Sequence, residues 1–280
     1  LETTTFNWTT EDGVQIYGKA WPHPAPTAVL SIVHGMGEHI NRYDEMAAFY
    51  HKAGFAVVGN DHRGHGQSGG KRGHTPGYEL LLDEVDHLVK ESRARYPGLP
   101  HFLFGQSLGG NLVLKYCLQR RSDFAGVVAS SPWIQLAFRP NPISVLAGKL
   151  MQNIYPGLLQ PSGLNPDHLS TIKEVGRQYV KDPLVHDRIS AAMGMGMLKA
   201  ADSLNEYNGS FPCPLLILHG TGDQITSVPA SRAFAERVSG DITYRPWEGL
   251  YHELHNEADR QEVLETTLNW MTSKMSDSQT

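Results

Sequence analysis

At 280 residues, with a net charge of −5 and a pI near 6.3, the chain can bury a large core but offers no basic stripe for nucleic acid. Its 40% hydrophobic and 19% charged residues describe an ordinary folded globule, and no apolar run approaches the length that spans a bilayer. Two cysteines, Cys117 and Cys213, are too few for a disulfide framework and fit a reducing, cytoplasmic setting; the chain opens at Leu1 rather than methionine, as a trimmed start would.

Thr4–Trp21 reads as two strands joined by the turn Glu11–Asp12–Gly13. Ala28–Val33 is the first continuous apolar run, and it leads into His34–Gly35–Met36–Gly37. The spacing of Tyr43, Met46, Ala47 and Tyr50 predicts a helix from Asn41 to Ala53, ended by Gly54. A buried strand at Phe55–Gly59 precedes Asp61–His62–Arg63–Gly64–His65, and an amphipathic helix spans Tyr78–Tyr96 before the stop at Pro97–Gly98. Phe102–Phe104 and Gly126–Ser130 are strands with a helix between them. Strands that are apolar throughout, alternating with helices, indicate a parallel sheet covered on both faces.

The alternation breaks at Pro132. From Pro140 to Pro166 the only charge is Lys149, while Ile143, Leu146, Leu150, Ile154 and Leu158 accumulate behind a helix start at Asn141–Pro142. No convincing strand appears before Asn208, and Met193–Gly194–Met195–Gly196–Met197 reads as flexible. The expected organisation is therefore an α/β core at 1–132 and 209–280, with a helical cap at 133–208 whose greasy face is suited to lipid. Beyond it come a strand at Pro214–Leu218, a helix at Val228–Val238, a strand at Ile242–Arg245 and a last helix from His255 to Met271. The polar tail Ser273–Thr280 is expected to fray.

Gly105–Gln106–Ser107–Leu108–Gly109, set between a strand and a helix, is a nucleophile elbow: a sharp turn that leaves the serine hydroxyl bare at the end of the sheet. Gly66–Gln67–Ser68–Gly69–Gly70 fits the same pattern, yet neither strand nor helix flanks it, so Ser107 is the candidate nucleophile. A serine needs a histidine to take its proton and an acid to orient that histidine, in the order acid then histidine after the serine. Asp223 follows the strand Pro214–Leu218 within one tight turn, and His252 lies on the loop after the last strand. The backbone N–H groups of Leu108 and Met36 are the expected oxyanion donors. His34 precedes the serine and is expected to brace its loop. Neither His62/His65 nor His252–Glu253–Leu254–His255 has zinc-ligand spacing, and no Gly-x-Gly-x-x-Gly opens a helix, so neither metal nor cofactor is expected.

His34–Gly35–Met36–Gly37–Glu38–His39, Asn41–Arg42–Tyr43, Asp61–His62–Arg63–Gly64–His65–Gly66–Gln67–Ser68, Tyr96–Pro97–Gly98–Leu99–Pro100, the elbow, and Tyr251–His252–Glu253–Leu254–His255–Asn256–Glu257 together resemble the monoacylglycerol lipases and lysophospholipase-like α/β-hydrolases. The resemblance runs from Trp21 to Trp270 and is weakest in the cap. It implies the α/β-hydrolase fold, a Ser107–Asp223–His252 triad, donors at Met36 and Leu108, and a cap that docks on membranes. It further implies a polar pocket for a glycerol head with Glu38, Arg42 and His255 in the matching positions; read from spacing alone, Glu38 and Arg42 are an i,i+4 ion pair worth a few tenths of a kcal/mol. Gln106 departs from the histidine common before the serine in relatives. The activity so implied is cofactor-independent hydrolysis of a lipid ester such as a monoacylglycerol. Lysophospholipids and simple carboxylic esters are the near alternatives, and a non-catalytic ligand-binding protein of the same fold is the distant one.

Overall fold

The computed structural model describes residues 1–121 and 123–277. Six strands come first: β1 (Thr4–Thr9), β2 (Gln15–Trp21), β3 (Ala28–Val33), β4 (Phe55–Asn60), β5 (His101–Gln106) and β6 (Gly126–Ser130). An insertion then carries a short antiparallel pair, β7 (Leu159–Pro161) and β8 (Arg188–Ser190), before β9 (Leu215–Gly220) and β10 (Ile242–Trp247) return to the main sheet. The eight-stranded sheet has the order β1-β2-β4-β3-β5-β6-β9-β10. Only β1–β2 and β2–β4 pair antiparallel; from β4 to β10 every neighbour is parallel.

Helices α1 (Asp44–Lys52), α2 (Tyr78–Arg95) and α3 (Leu108–Gln119) fill the crossovers of the first half. The insertion holds α4 (Pro142–Ile154), α5 (Lys173–Lys181) and α6 (Ala191–Glu206), while α7 (Val228–Arg237) and α8 (Arg260–Asp277) complete the second half. Alternation along β3 shows how the layers are made. Val29 and Val33 pack with Leu81, Leu112 and Phe234 of α2, α3 and α7, whereas Leu30 and Ile32 pack with Met46, Leu264 and Met271 of α1 and α8. Cys117 and Cys213 are free and buried.

Four expectations need correction. The insertion contains the β7–β8 pair, three residues each, where no strand was expected. The Met193–Met197 run is not a loose loop but the first half of α6; Ser190 caps that helix at Met193 N, and Gly196 lets it approach Tyr78 of α2. The last helix begins at Arg260 rather than His255, which sits in a separate 3-10 turn at Leu254–Asn256. The buried Glu257 carboxylate holds that turn apart from the helix by accepting Tyr251 N and Thr171 N. Finally, Ser273–Asp277 belongs to α8, docked by a 2.6 Å Lys274–Asp241 ion pair; Ser278–Thr280 lie outside the described residues.

The sharpest packing constraint is where β5 becomes α3. A Cβ on Gly109 would fall on the carbonyl oxygen of Val33, and one on Gly105 on the carbonyl oxygen of Gly109. Both obstacles are backbone, which has no rotamer through which to yield. Gly109→Ala should therefore lower thermal stability by about 1–3 kcal/mol. Gly77→Ala, where a Cβ meets open space, should shift it by less than about 0.5 kcal/mol in the same unfolding measurement.

Candidate active site

Ser107 stands at the carboxyl end of β5 with φ 56 and ψ −112, a conformation that a residue with a side chain adopts only under constraint. Three backbone bonds supply the constraint: Ser107 N donates to Ser130 O (3.0 Å), and its own carbonyl accepts from Asn111 N and Trp133 N (both 3.0 Å). The start of α3, with its unpaired N–H groups, follows directly, and Leu108 is its first residue. Ser68, the rival serine, is absorbed in structure. Its hydroxyl donates to Asp61 O at 2.6 Å and accepts Tyr17 N at 2.9 Å.

The candidate acid and the candidate base meet. His252 Nδ1 lies 2.7 Å from Asp223 Oδ2, and both side chains are buried. Asp223 Oδ1 accepts Ile225 N (2.7 Å) and Thr226 N (3.1 Å), so the turn after β9 is wrapped around the carboxylate. Two partners that chain order does not reveal also reach Oδ2: His219 Nε2 at 3.0 Å and Thr226 Oγ1 at 2.8 Å. Burial works against charge on Asp223, yet His252 and these donors hold its carboxyl far below the usual carboxylate range. Burial likewise disfavours a charged His252, but the adjoining Asp223 carboxylate prevails and lifts its pKa above the ordinary 6.5. Gln106 Nε2 donates to His252 O at 2.9 Å, tying the loop of the base to the end of β5.

Ser107 and His252 open on the same small cavity, with Gly35, Met36, Glu38, Gln106 and Glu253 from the core and Leu164, Leu169 and Tyr179 from the insertion. The Met36 peptide is clamped from both sides. Gly35 N donates to Glu38 Oε1 (2.6 Å), and Gly37 O accepts His186 N (3.0 Å). His34 braces the same loop, its Nε2 accepting His62 N at 3.0 Å.

Glu38 and Arg42 form the expected i,i+4 pair, but it is neither exposed nor alone. Arg42 bridges Glu38 (2.6 Å) and, through two nitrogens, Glu253 (2.6 and 2.7 Å); Tyr43 donates to Glu38 at 2.8 Å. All three charged side chains are nearly sealed from water. Glu38 reaches the serine's cavity, whereas Arg42 and His255 are not among its lining residues. His255 stacks on the far side of Tyr43 (4.8 Å) and faces a groove between α1 and α8. Glu253 has no signal of its own in the sequence, where it appears only within the His252–Glu253–Leu254–His255 spacing and the Tyr251–Glu257 stretch of the resemblance. Among the described residues no group of three or more His, Cys, Asp or Glu side chains could hold a metal ion.

Burial raises the Glu253 carboxyl, but the Arg42 guanidinium outweighs it and brings the pKa from 4.5 to about 2. A carboxyl depressed on folding contributes stability above its unfolded pKa and loses it as pH falls toward the folded one. The contribution of Glu253 should thus be complete above pH 4.5 and fade toward pH 2. Arg42→Met leaves two buried carboxylates without a cation. It should cost about 3–5 kcal/mol at pH 7 in denaturant unfolding, with the difference from wild type shrinking in acid.

A family model described as Serine aminopeptidase, S33 matches residues 24–259. The chain is 32% identical over 266 residues to the monoacylglycerol lipase of Mycolicibacterium smegmatis, covering 94% of this chain and 95% of that one. It is also 32% identical over 279 residues to an abhydrolase domain-containing protein of Dictyostelium discoideum, but spans only 30% of that longer chain. Among solved structures, Paleococcus ferrophilus monoacylglycerol lipase superposes with a TM-score of 0.83 at 33% identity, over 98% of this chain and 100% of that one. The elbow, the sheet order and these likenesses agree: the chain belongs to the serine aminopeptidase S33 family, as a serine hydrolase of the α/β-hydrolase fold similar to the monoacylglycerol lipases.

Proposed function

We propose that the protein hydrolyses monoacylglycerols to fatty acid and glycerol through Ser107, His252 and Asp223. The observation carrying this reading is that Ser107 and His252 share one cavity while the far ring nitrogen of His252 is bound to Asp223. That bond keeps the proton on Nδ1 and leaves Nε2 free to accept one. Ser107 Oγ attacks the ester carbonyl and His252 Nε2 takes the hydroxyl proton. The oxyanion rests on the N–H groups of Met36 and Leu108, and collapse of the tetrahedral intermediate expels the glycerol oxygen, which receives the proton back. Water, activated by the same imidazole, then attacks the acyl-serine and releases the fatty acid with Ser107 restored.

Two features favour a lipid ester over a peptide. A peptide's free ammonium group would need a carboxylate free to bind it, and both carboxylates at the cavity are already occupied, Glu38 by Arg42, Tyr43 and Gly35 N and Glu253 by Arg42 and Asn256. Residues 133–208 also behave as a cap with a lipid-facing side. On α4, Ile143 (77% exposed), Leu146 (68%), Leu150 (61%) and Ile154 (67%) lie along one outward stripe. Beneath α4 is an apolar cavity of about 260 Å³ lined by Trp133, Leu136, Val145, Ile189, Met195 and Leu198, suited to an acyl chain. No described helix is long and apolar enough to cross a membrane; the contact proposed here is made by the outward face of α4. The space over Ser107 itself is about 10 Å³, and admission of an ester requires Leu164, Leu169 and Tyr179 to withdraw.

A fluorophosphonate probe should label Ser107, and Ser107→Ala should abolish labelling and lower kcat by about 10⁴- to 10⁶-fold. The acid limb of kcat/KM should lie above pH 6.5, since His252 must be neutral to act and its pKa is raised. Faster turnover of lysophosphatidylcholine or of a short nitrophenyl ester than of monoolein would reassign the substrate. A folded protein that does not label would be a binding module.

The docking reading is separable. Leu146→Glu with Leu150→Glu should release the protein from phospholipid vesicles in co-sedimentation and slow hydrolysis of vesicle-borne monoolein. Turnover of the soluble nitrophenyl ester should stay within about two-fold of wild type, since neither residue borders the serine's cavity.

A further inference from the structure

Asp223 Oδ2 is shared by two histidines. His252 approaches it from the loop after β10 at 2.7 Å, and His219 approaches it from the end of β9 at 3.0 Å. Nothing in the proposed reaction uses His219, although it is completely buried and its other ring nitrogen, Nδ1, has no hydrogen-bond partner. Burying an imidazole at this point for packing alone would be costly, because a leucine would fill the space without an unpaired polar atom.

The chemistry of the contact settles the proton arrangement. An ionised carboxylate only accepts, so His219 meets Asp223 as a donor, through an Nε2–H. His219 thus gives the carboxylate a hydrogen bond, while His252 is the histidine that faces Ser107's cavity.

The mechanical argument points the same way. The turn holds Asp223 Oδ1 through Ile225 N and Thr226 N, but Oδ2, the oxygen that meets His252, has only side-chain partners, and of these His219 is the one on a strand, the fifth residue of six in β9, flanked by β6 and β10. Next to it, a Cβ on Gly220 would strike the carbonyl oxygens of Leu250 and Tyr251, so the strand end is pressed against the loop that carries His252. Among the described residues, the only titratable side chains that hydrogen-bond to this oxygen are His252 and His219, with the Thr226 hydroxyl 2.8 Å from it and 3.3 Å from His219 Nε2.

From this geometry we infer that His219 is a positioning residue: a strand-borne donor that fixes the rotamer of Asp223 and, through it, the ring of His252. The inference rests on the triad proposed above and deepens it. It also separates two roles that a single acid–base pair would merge, one histidine moving protons and the other holding the acid still.

The test is the rate at which a fluorophosphonate labels Ser107, measured from pH 5 to pH 9 in the full chain. It needs no knowledge of the natural substrate. His219→Leu and His219→Asn, which lack a donor that reaches Oδ2, should slow labelling by about 100-fold and displace the acid limb of the pH profile. His219→Gln, whose amide nitrogen can take the place of Nε2, should label within a few-fold of wild type with the limb restored. Should the leucine variant fail to fold, the Asn/Gln pair still decides, with thermal unfolding checked for each. Labelling at the wild-type rate and limb in His219→Asn or His219→Leu would overturn the inference, as would equal slowing by Gln and Asn. Loss of the parent reading would look different, because the wild-type protein itself would then fail to label at Ser107.

Discussion

The architecture depends on one turn. Ser107 is held at a positive φ by backbone bonds to β6 and to the segment after it, while Gly105 and Gly109 let α3 start against the backbone of its neighbours. Relaxing the turn toward ordinary torsions would rotate the serine, and the start of α3 behind it, away from the cavity shared with His252. The strain costs on the order of 1–3 kcal/mol and persists only because a fully covered parallel sheet over-determines it. The buried cores on both faces, with α2, α3 and α7 on one and α1 and α8 on the other, are what make that possible.

A second layer of constraint is electrostatic. Glu38, Arg42 and Glu253 connect the loop after β3 to the loop after β10, the two places from which Met36 and His252 project. Burying such a trio does not by itself raise stability, because desolvating three charges consumes most of what their attraction returns. Its value lies in specificity of position. Glu38 accepts Gly35 N and Tyr43 Oη while it pairs with Arg42, so the backbone beside Met36 has one arrangement rather than several.

Much of this was legible in the sequence, for identifiable reasons. Apolar strands alternating with helices indicate a parallel sheet covered on both faces, though not its strand order, and the context of Ser107 sets it apart from Ser68, whose hydroxyl is spent on backbone partners. Asp223 and His252 stand out in the sequence because both lie just beyond strand ends, and the structure brings the two side chains into contact. Burial was less visible. Glu38 and Arg42 have the spacing of a weak surface pair, and nothing local reveals that Glu253, more than two hundred residues away, completes and sequesters them. Likewise, the glycines between Met193 and Met197 suggest a loop until Tyr78 is seen to need the space for a helix crossing. His219 escaped notice because it precedes Asp223, and chain order directs attention only to histidines that follow it.

The insertion is more than a cover. Tyr179 and His186, both supplied by it, touch the Met36 and Gly37 carbonyls at 3.4 and 3.0 Å, so part of the support for the core's own loop is housed between β6 and β9. Replacing that segment with an unrelated one would take two struts away from the residues following β3, so a working chimaera has to carry the segment and that loop together.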